Sequence, residues 1–259
     1  MLEQLLQNSE IQRLLMMSKD GLLFAVWETL YVTIISTVFA CVIGLVLGVL
    51  VVVGEPNGVR PLPRPLMTIL NVAINILRSV PFLILMVLVI PLSRLILGTS
   101  IGTEATIIPL IVAAFPFVSR LVEASLREVD KGVIEAAQAM GCSPFQIIWK
   151  VMLPESRPSL VSAFTTAFIT ILSYGAMAGA IGGGGLGAMA LNLGYQRRMT
   201  IILWVSVVLL VVLVQIFQSV GTHTSVRLDK RLTRTGRKSR KKLRIEEGRV
   251  GPWGDVKPQ

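Results

Sequence analysis

The chain has 259 residues, of which 53% are hydrophobic and 15% are charged. Soluble domains carry about 25% charged residues, so this composition, with a mean hydropathy of +0.71, indicates a membrane protein. Two cysteines and one histidine argue against a disulfide framework and a metal site. The net charge of +10 is concentrated towards the C-terminus, which favours basic flanks of a membrane protein over nucleic-acid binding.

Residues 1–20 form the first segment, in which leucines recur at roughly helical spacing among polar residues. The segment lacks the basic start and the small-residue cleavage site of a signal peptide. It therefore predicts an amphipathic helix at the membrane surface, and a helix that docks onto a partner protein is the alternative.

Five long apolar segments follow, each able to cross a hydrocarbon core of about 30 Å. They cover residues 27–53, 66–91, 105–122, 160–180 and 200–220. Proline-rich residues 54–65 and polar residues 93–104 are predicted to connect them. The predicted fold is an all-α membrane protein with five transmembrane helices, in a domain covering residues 21–221.

Small residues inside these segments predict where helices meet. Gly44 and Gly48 form a G-x-x-x-G pair, which suits either packing within the chain or contact with a second copy. Residues 160–180 are rich in Ser, Thr, Ala and Gly, which predicts a closely packed helix that faces a cavity.

The second apolar segment is unusually polar, with Asn71, Asn75, Arg78 and Ser79 preceding Pro81. An ionisable side chain within a span costs several kcal/mol, so Arg78 is expected to face protein or a water-filled cavity. The alternative is that Arg78 lies near a helix end, from which its long side chain reaches the lipid headgroups.

Residues 181–187, IGGGGLG, contain the spacing of a dinucleotide-binding turn. No predicted strand precedes this motif and no acidic residue follows at the required distance, so we interpret it as a flexible turn. The sequence also lacks the Gly-Lys-Ser/Thr of a phosphate-binding loop. No cofactor is predicted.

Residues 135–154 form the longest mixed polar stretch between apolar segments and predict two short helices around a tight turn. Gly141 can adopt the left-handed conformation that ends the first helix. Ser143 is suited to cap the second helix, with Pro144 at its first position and Gln146 completing a capping box.

Pro154 is expected to end the second helix. Proline lacks the N–H that continues a helix, and it disfavours the helical conformation of the preceding residue, Leu153. The local pattern therefore predicts helix, turn, helix and stop.

The same stretch resembles the EAA loop of ABC-importer permeases. The positions that match that family's spacing are Glu135, Ala136, Ala137, Gly141, Leu153 and Pro154, and Val151 stands where isoleucine is usual. The runs VWETL, NILRSVPFLIL, IPLSRLILGTSIG, PFVSRLVE and YGAMAGAIGGGGLG resemble the permease subunit of bacterial methionine ABC importers.

The resemblance implies a permease that forms the path for D- or L-methionine through the inner membrane and is not itself an enzyme. It implies three protein partners: a second copy of the chain, cytoplasmic ATPase subunits and an extracytoplasmic methionine-binding protein. Residues 126–156 would contact the ATPase. The coupling residues are predicted to be Glu135, Ala136, Ala137, Gly141, Ser143, Pro144 and Pro154.

The translocation path is predicted to be lined from the second and fourth apolar segments. The residues are Asn75, Arg78, Ser79, Ser173, Tyr174 and Met177. Met177 is flexible and flanked by small residues, which suits a gate, and ordinary packing within the bundle explains it equally well.

Charge predicts the orientation in the membrane. If the EAA-like loop is cytoplasmic, 19 of the 25 Lys and Arg residues lie on that side and five on the other. The positive-inside rule therefore places the C-terminus in the cytoplasm and the N-terminus outside. Residues 222–259 are predicted to be a disordered basic tail near anionic lipid.

Other functions have less support. A permease for a different amino acid or small solute has the same motif. A secondary transporter or channel would need acidic residues within the spans or an inverted repeat. A membrane-embedded enzyme would need a catalytic constellation, and the one histidine, His223, lies in the tail.

Overall fold

The computed structural model describes residues 21–229, so the amphipathic helix predicted for residues 1–20 lies outside the described residues. Within residues 21–229 every regular element is helical. The α-helices are α1 (Leu22–Val53), α2 (Arg64–Ser79), α3 (Phe82–Leu97), α4 (Ile107–Arg127), α5 (Lys131–Ala139), α6 (Pro144–Ile147), α7 (Leu153–Glu155), α8 (Arg157–Ala178), α9 (Gly185–Ala188) and α10 (Thr200–Leu228). Short 3₁₀-helices cover Glu104–Thr106 and Gly179–Ile181, and π-helical turns cover Ile148–Met152 and Met189–Gln196.

Among residues 21–229, four helices are long and apolar enough to cross a membrane. They are Leu22–Val53, Glu104–Arg127, Arg157–Ile181 and Thr200–Leu228. The pair α2 and α3 provides a fifth span if it is counted as one. The prediction of an all-α membrane protein with five spans is confirmed in this sense.

The second span differs from the continuous segment expected at residues 66–91. It is two helices that meet at 111°. The break lies at Val80, which has φ −79° and ψ 127°, because the following Pro81 disfavours the helical conformation of the residue before it. α3 then continues through Pro91 to Leu97, where Gly98 ends it at φ 75°. The predicted loop at residues 93–104 is correspondingly shorter.

The last helix extends beyond its predicted end at residue 220, into the segment assigned to the tail. It ends at Leu228. Two contacts with α8 support the extension. Gly221 packs closely against Thr165. A methyl group added at Gly221 would lie 2.1 Å from Oγ1 of Thr165. The Ser225 hydroxyl donates a hydrogen bond to the Pro158 carbonyl at 2.8 Å. The tail beyond residue 229 lies outside the described residues.

The centre of the bundle is the contact between α1 and α4. Gly44 and Gly48 are buried in it, and a methyl group at Gly48 would lie 2.7 Å from Cβ of Val122. Small residues in membrane helices allow backbones to approach closely. The G-x-x-x-G pair therefore makes a contact within the chain.

The glycine-rich turn at residues 182–185 is held tightly, in contrast to the flexible turn expected. Gly182 and Gly185 have φ of 94° and 80°, which favours glycine. The Gly185 amide donates to the Glu28 carboxylate at 2.9 Å, and the Thr103 hydroxyl donates to the same carboxylate at 2.5 Å. Glu28 thus joins α1, the turn before α4 and the glycine-rich turn.

Candidate functional site

The first part of the candidate site is the helical hairpin formed by residues 131–155. Its first arm, α5, begins at Asp130, whose side chain accepts a hydrogen bond from the Gly132 amide at 2.7 Å. It ends before Gly141, which has φ 76°. The left-handed turn predicted at Gly141 is therefore confirmed.

The second arm begins with the predicted capping box. Ser143 Oγ accepts a hydrogen bond from the Gln146 amide at 3.4 Å, and Gln146 Oε1 accepts one from the Ser143 amide at 2.9 Å. Pro144 occupies the first position of α6. These reciprocal bonds satisfy two N–H groups that the first helical turn leaves without partners.

The prediction that Pro154 stops this arm is wrong. Leu153 is helical, with φ −64° and ψ −43°, and the chain continues through the π-helical turn into α7. Pro154 lies in the first turn of α7, where its missing N–H removes no required bond. The arm ends at Ser156, a buried residue whose hydroxyl donates to the Met152 carbonyl at 2.8 Å.

The hairpin has a buried face and an exposed face. Ala137, Ile147 and Met152 are at most 2% exposed and attach it to the bundle. Glu135, Ala136, Gly141, Ser143 and Pro144 are exposed, and Pro154 is half-buried. The predicted coupling residues therefore lie on the accessible face, except Ala137 and Pro154.

Sequence reasoning missed two aromatic side chains on this surface. Phe145 and Trp149 are 69% and 58% exposed, with ring centroids 6.1 Å apart. Their spacing of four residues places them on one helix face, which was the available signal.

A cavity of about 540 Å³ lies beside the first arm of the hairpin. Glu135 and Gln138 line it from α5, Glu55 from the loop before α2, and Arg127 from the end of α4. The hairpin is thus next to the end of a membrane helix and to a loop that leads into another.

The second part of the candidate site is a smaller cavity, of about 170 Å³, at the bend between α2 and α3. Arg78 and Tyr174 both line it. Tyr174 stacks on Phe82, with ring centroids 4.2 Å apart and the planes at 10°. The structure therefore brings together one predicted path residue from each of the two helices.

The other predicted path residues do not line this cavity. The hydroxyls of Ser79 and Ser173 donate to carbonyls of their own helices, those of Asn75 and Ile169, at 2.8 and 3.0 Å. Met177 is 47% exposed, one helical turn from Tyr174.

Asn71 and Asn75 were singled out from the sequence, but the polar cluster between α2, α4 and the loop before α2, to which they belong, was not predicted. Its members are Glu55, Asn71, Asn75, Arg120, Glu123 and Arg127. The spacing of Arg120, Glu123 and Arg127 places them on one face of α4, which was the available signal. The long-range partners have no signature in the local sequence.

A bundle of apolar helices, a polar cluster between two of them and an exposed helical hairpin define a multi-span membrane protein of the permease class. The chain belongs to the family described as binding-protein-dependent transport system inner membrane component, which it matches over residues 44–231. It is therefore a multi-pass inner-membrane component of a transport system and not an enzyme, as predicted.

Similar proteins include a probable D-methionine transport system permease, MetI, from Vibrio cholerae. It is 46% identical over 215 residues, which cover 83% of this chain and 95% of that protein. The methionine import system permease MetP of Bacillus subtilis is 43% identical over 63% of this chain and 74% of its own length. A solved structure of the MetNI methionine ABC transporter, inward facing, matches 79% of this chain and 94% of its own at 44% identity and a TM-score of 0.77.

Proposed function

We propose that this chain is the permease subunit of an ATP-driven importer and forms the path for methionine. The observation that carries the proposal is the likeness to the MetNI methionine ABC transporter, which covers 79% of this chain. The named methionine permeases from Vibrio cholerae and Bacillus subtilis support the same substrate.

The helical hairpin is the proposed contact with a separate ATPase subunit. Its exposed face combines the carboxylate of Glu135 with the small surface at Ala136 and Gly141 and the aromatic rings of Phe145 and Trp149. Ser143 and Pro144 fix the turn between the arms, while Ala137 and Pro154 anchor it. Large exposed aromatic residues are typical anchors of protein interfaces.

Methionine passes, in this proposal, along α2 and α8. The Arg78 guanidinium would attract the substrate carboxylate, and Tyr174 and Phe82 offer an apolar surface to the thioether. Asn75, Ser79 and Ser173 are exposed on the same two helices, and Met177 is the proposed gate.

The complete importer needs further partners. A second copy of the chain would cover apolar side chains that α3 exposes, such as Leu88 and Leu95. A methionine-binding protein would deliver substrate on the extracytoplasmic side. The N-terminus is proposed to lie on that side, with the helical hairpin and the C-terminus in the cytoplasm.

Uptake of labelled methionine into vesicles tests this function. The permease is reconstituted with its ATPase and binding protein. Uptake is expected to require both proteins, and it is expected to require ATP on the side of the membrane that the helical hairpin faces. Competition by other unlabelled amino acids measures specificity. Uptake of another amino acid in place of methionine would identify a different substrate, and uptake without ATP would contradict the importer mechanism.

A further inference from the structure

The polar cluster has Arg120 at its centre, and this arginine joins three acceptors. Its Nη2 donates to Oδ1 of Asn71 and to Oδ1 of Asn75, both at 3.0 Å. Its Nη1 donates to Oε2 of Glu123 at 2.5 Å. The two asparagines belong to α2, whereas Arg120 and Glu123 belong to α4.

The contact is built on both sides. Asn71 and Asn75 are four residues apart, so their amides lie on one face of α2. The Asn71 Nδ2 donates to the Met67 carbonyl at 3.0 Å, which leaves the Asn71 oxygen directed at Arg120. A guanidinium presents several donors in a rigid planar fork, and a lysine ammonium cannot reproduce that arrangement.

α2 has little else to hold it within the chain. Of its 16 residues, only Met67 and Ile74 are buried. The two hydrogen bonds from Arg120 are therefore a large part of its attachment to α4. Arg78 lies less than one helical turn after Asn75, so the position of Arg78 depends on that attachment.

The cluster continues from Arg120 towards the helical hairpin. Glu123, which is 8% exposed, also accepts hydrogen bonds from Arg127 Nε at 3.2 Å and Nη2 at 2.8 Å. Arg127 in turn forms an ion pair with Glu55 in the loop before α2. Two cations and two anions therefore balance, which lowers the cost of burying Glu123.

The far end of this cluster reaches the cavity beside the helical hairpin. Arg127 and Glu55 line that cavity together with Glu135. An unbroken series of hydrogen bonds and ion pairs thus runs from the hairpin cavity to α2, which carries Arg78.

We propose that Arg120 is a positioning residue for transport, which ties the movement of α2 to the end of α4 beside the helical hairpin. The proposal rests on the transport function given above. Without the guanidinium, α2 would no longer follow α4, so ATP hydrolysis would continue with less substrate moved per ATP.

The test uses Arg120→Lys in the reconstituted importer, with Arg94→Lys as the matched control. Arg94 is an exposed arginine of α3 whose side chain makes no hydrogen bond or ion pair within residues 21–229. We expect Arg120→Lys to raise the ATP hydrolysed per methionine taken up by about threefold or more, and Arg94→Lys to leave it unchanged. A wild-type ratio in Arg120→Lys would overturn the proposal.

A double-mutant cycle separates positioning from loss of folded protein. Asn71→Leu removes one acceptor, and combining it with Arg120→Lys is expected to add little to the effect of Arg120→Lys alone on the ratio. Fully additive effects would show that the Arg120–Asn71 contact is not responsible. A lower yield of folded permease with a normal ratio per molecule would likewise reduce Arg120 to a structural role.

A second measurement does not depend on the substrate. A single cysteine at Ser79, with Cys41 and Cys142 replaced by serine, is expected to change its reactivity between ATP-bound and ATP-free states. In the Arg120→Lys background that change is expected to disappear, and its persistence would overturn the proposal. If the reactivity at position 79 changes with ATP in the wild-type background and not with Arg120→Lys, but methionine is not taken up, only the assignment of methionine as the substrate is wrong.

Discussion

Arg78 and Arg120 differ sharply in their surroundings, although both belong to the membrane bundle. Arg120 has three side-chain acceptors, whereas the Arg78 side chain makes no hydrogen bond or ion pair in the described part of the chain. An arginine without a protein partner beside a cavity is suited to receive an anionic ligand.

Arg78→Gln is expected to lower the initial rate of methionine uptake by about tenfold or more, because charge-assisted hydrogen bonds contribute about 1.5–3 kcal/mol. Arg78→Lys keeps the charge and is expected to lower the rate of methionine uptake less. Arg94→Gln is the control for removing an arginine from the same broken span. Normal uptake by Arg78→Gln would place the side chain at the lipid interface instead.

Cysteine labelling checks the path assignment independently of rates. Cysteines at Arg78, Ser173 and Met177 are expected to react with polar thiol reagents in at least one nucleotide state. Val211, an exposed residue of α10, is the control for a position facing lipid. If none of the three reacts more than the control, the path does not run along α2 and α8.

The helical hairpin shows how local rules can build an element that is then held by long-range packing. Gly141 and the capping box set the turn, and buried residues such as Ile147 attach the arms. A Cβ atom at Gly141 would meet nothing within 4 Å. A side chain there would therefore point into the space that a docked ATPase is proposed to occupy.

Gly141→Trp is expected to reduce both recovery of the ATPase with the permease and substrate-stimulated ATP hydrolysis. Gly141→Ala carries the same left-handed strain, about 1–2 kcal/mol, without the bulk, and should reduce them much less. Gly98→Trp is a matched control, because Gly98 also has φ near 75° and open space around it.

Glu135→Lys reverses a charge on the same exposed face of the hairpin as Gly141 and should also uncouple transport. Wild-type stimulation in Gly141→Trp and Glu135→Lys would refute docking at this face.

The contact of α1 with α4 makes a prediction about stability. Gly48→Ala places a methyl group 2.7 Å from Cβ of Val122, and such overpacking costs about 1–3 kcal/mol. We expect a lower thermal transition of the purified permease. Gly175→Ala is the control, since a methyl group there meets nothing within 4 Å. Equal transitions for the two variants would mean that α1 and α4 adjust without strain.

The two ends of the helix bundle carry different structural features. The glycine-rich turn and Glu28 lie at one end, and the helical hairpin lies at the end of α4. From the positive-inside rule, the hairpin end is proposed to face the cytoplasm. The coupling contact and the delivery of substrate are therefore proposed at opposite ends of the same helices.

Labelling in intact cells tests this orientation. A membrane-impermeant thiol reagent is expected to modify a cysteine at Gln196, which is exposed between α9 and α10. A cysteine at Asn57, in the exposed loop before α2, is expected to react only after the membrane is opened. The opposite pattern would invert the topology and remove the proposed contact with a cytoplasmic ATPase.

The features that the sequence predicted correctly depend on neighbouring residues or on average composition. Apolar length predicted the spans, because each helix satisfies its own backbone hydrogen bonds. Gly141, Ser143 and Gln146 predicted the turn of the hairpin, because a cap involves residues only three or four apart. The resemblance of short runs to methionine permeases agrees with the family that residues 44–231 match and with the similar MetI over 83% of the chain.

The features that required the folded structure depend on which helix faces meet. Leu153 stays helical before a proline because the π-helical turn and the packing of Met152 carry the arm onward. Arg120 meets Asn71 across 49 positions of sequence, and Glu28 meets Gly185 across 157. No local pattern encodes such pairs, since they arise only when separate helices pack together. Sequence therefore determined the spans, the hairpin turn, the bend before Pro81 and the family, while tertiary packing determined the path of the chain at Leu153 and the partners of each charged side chain.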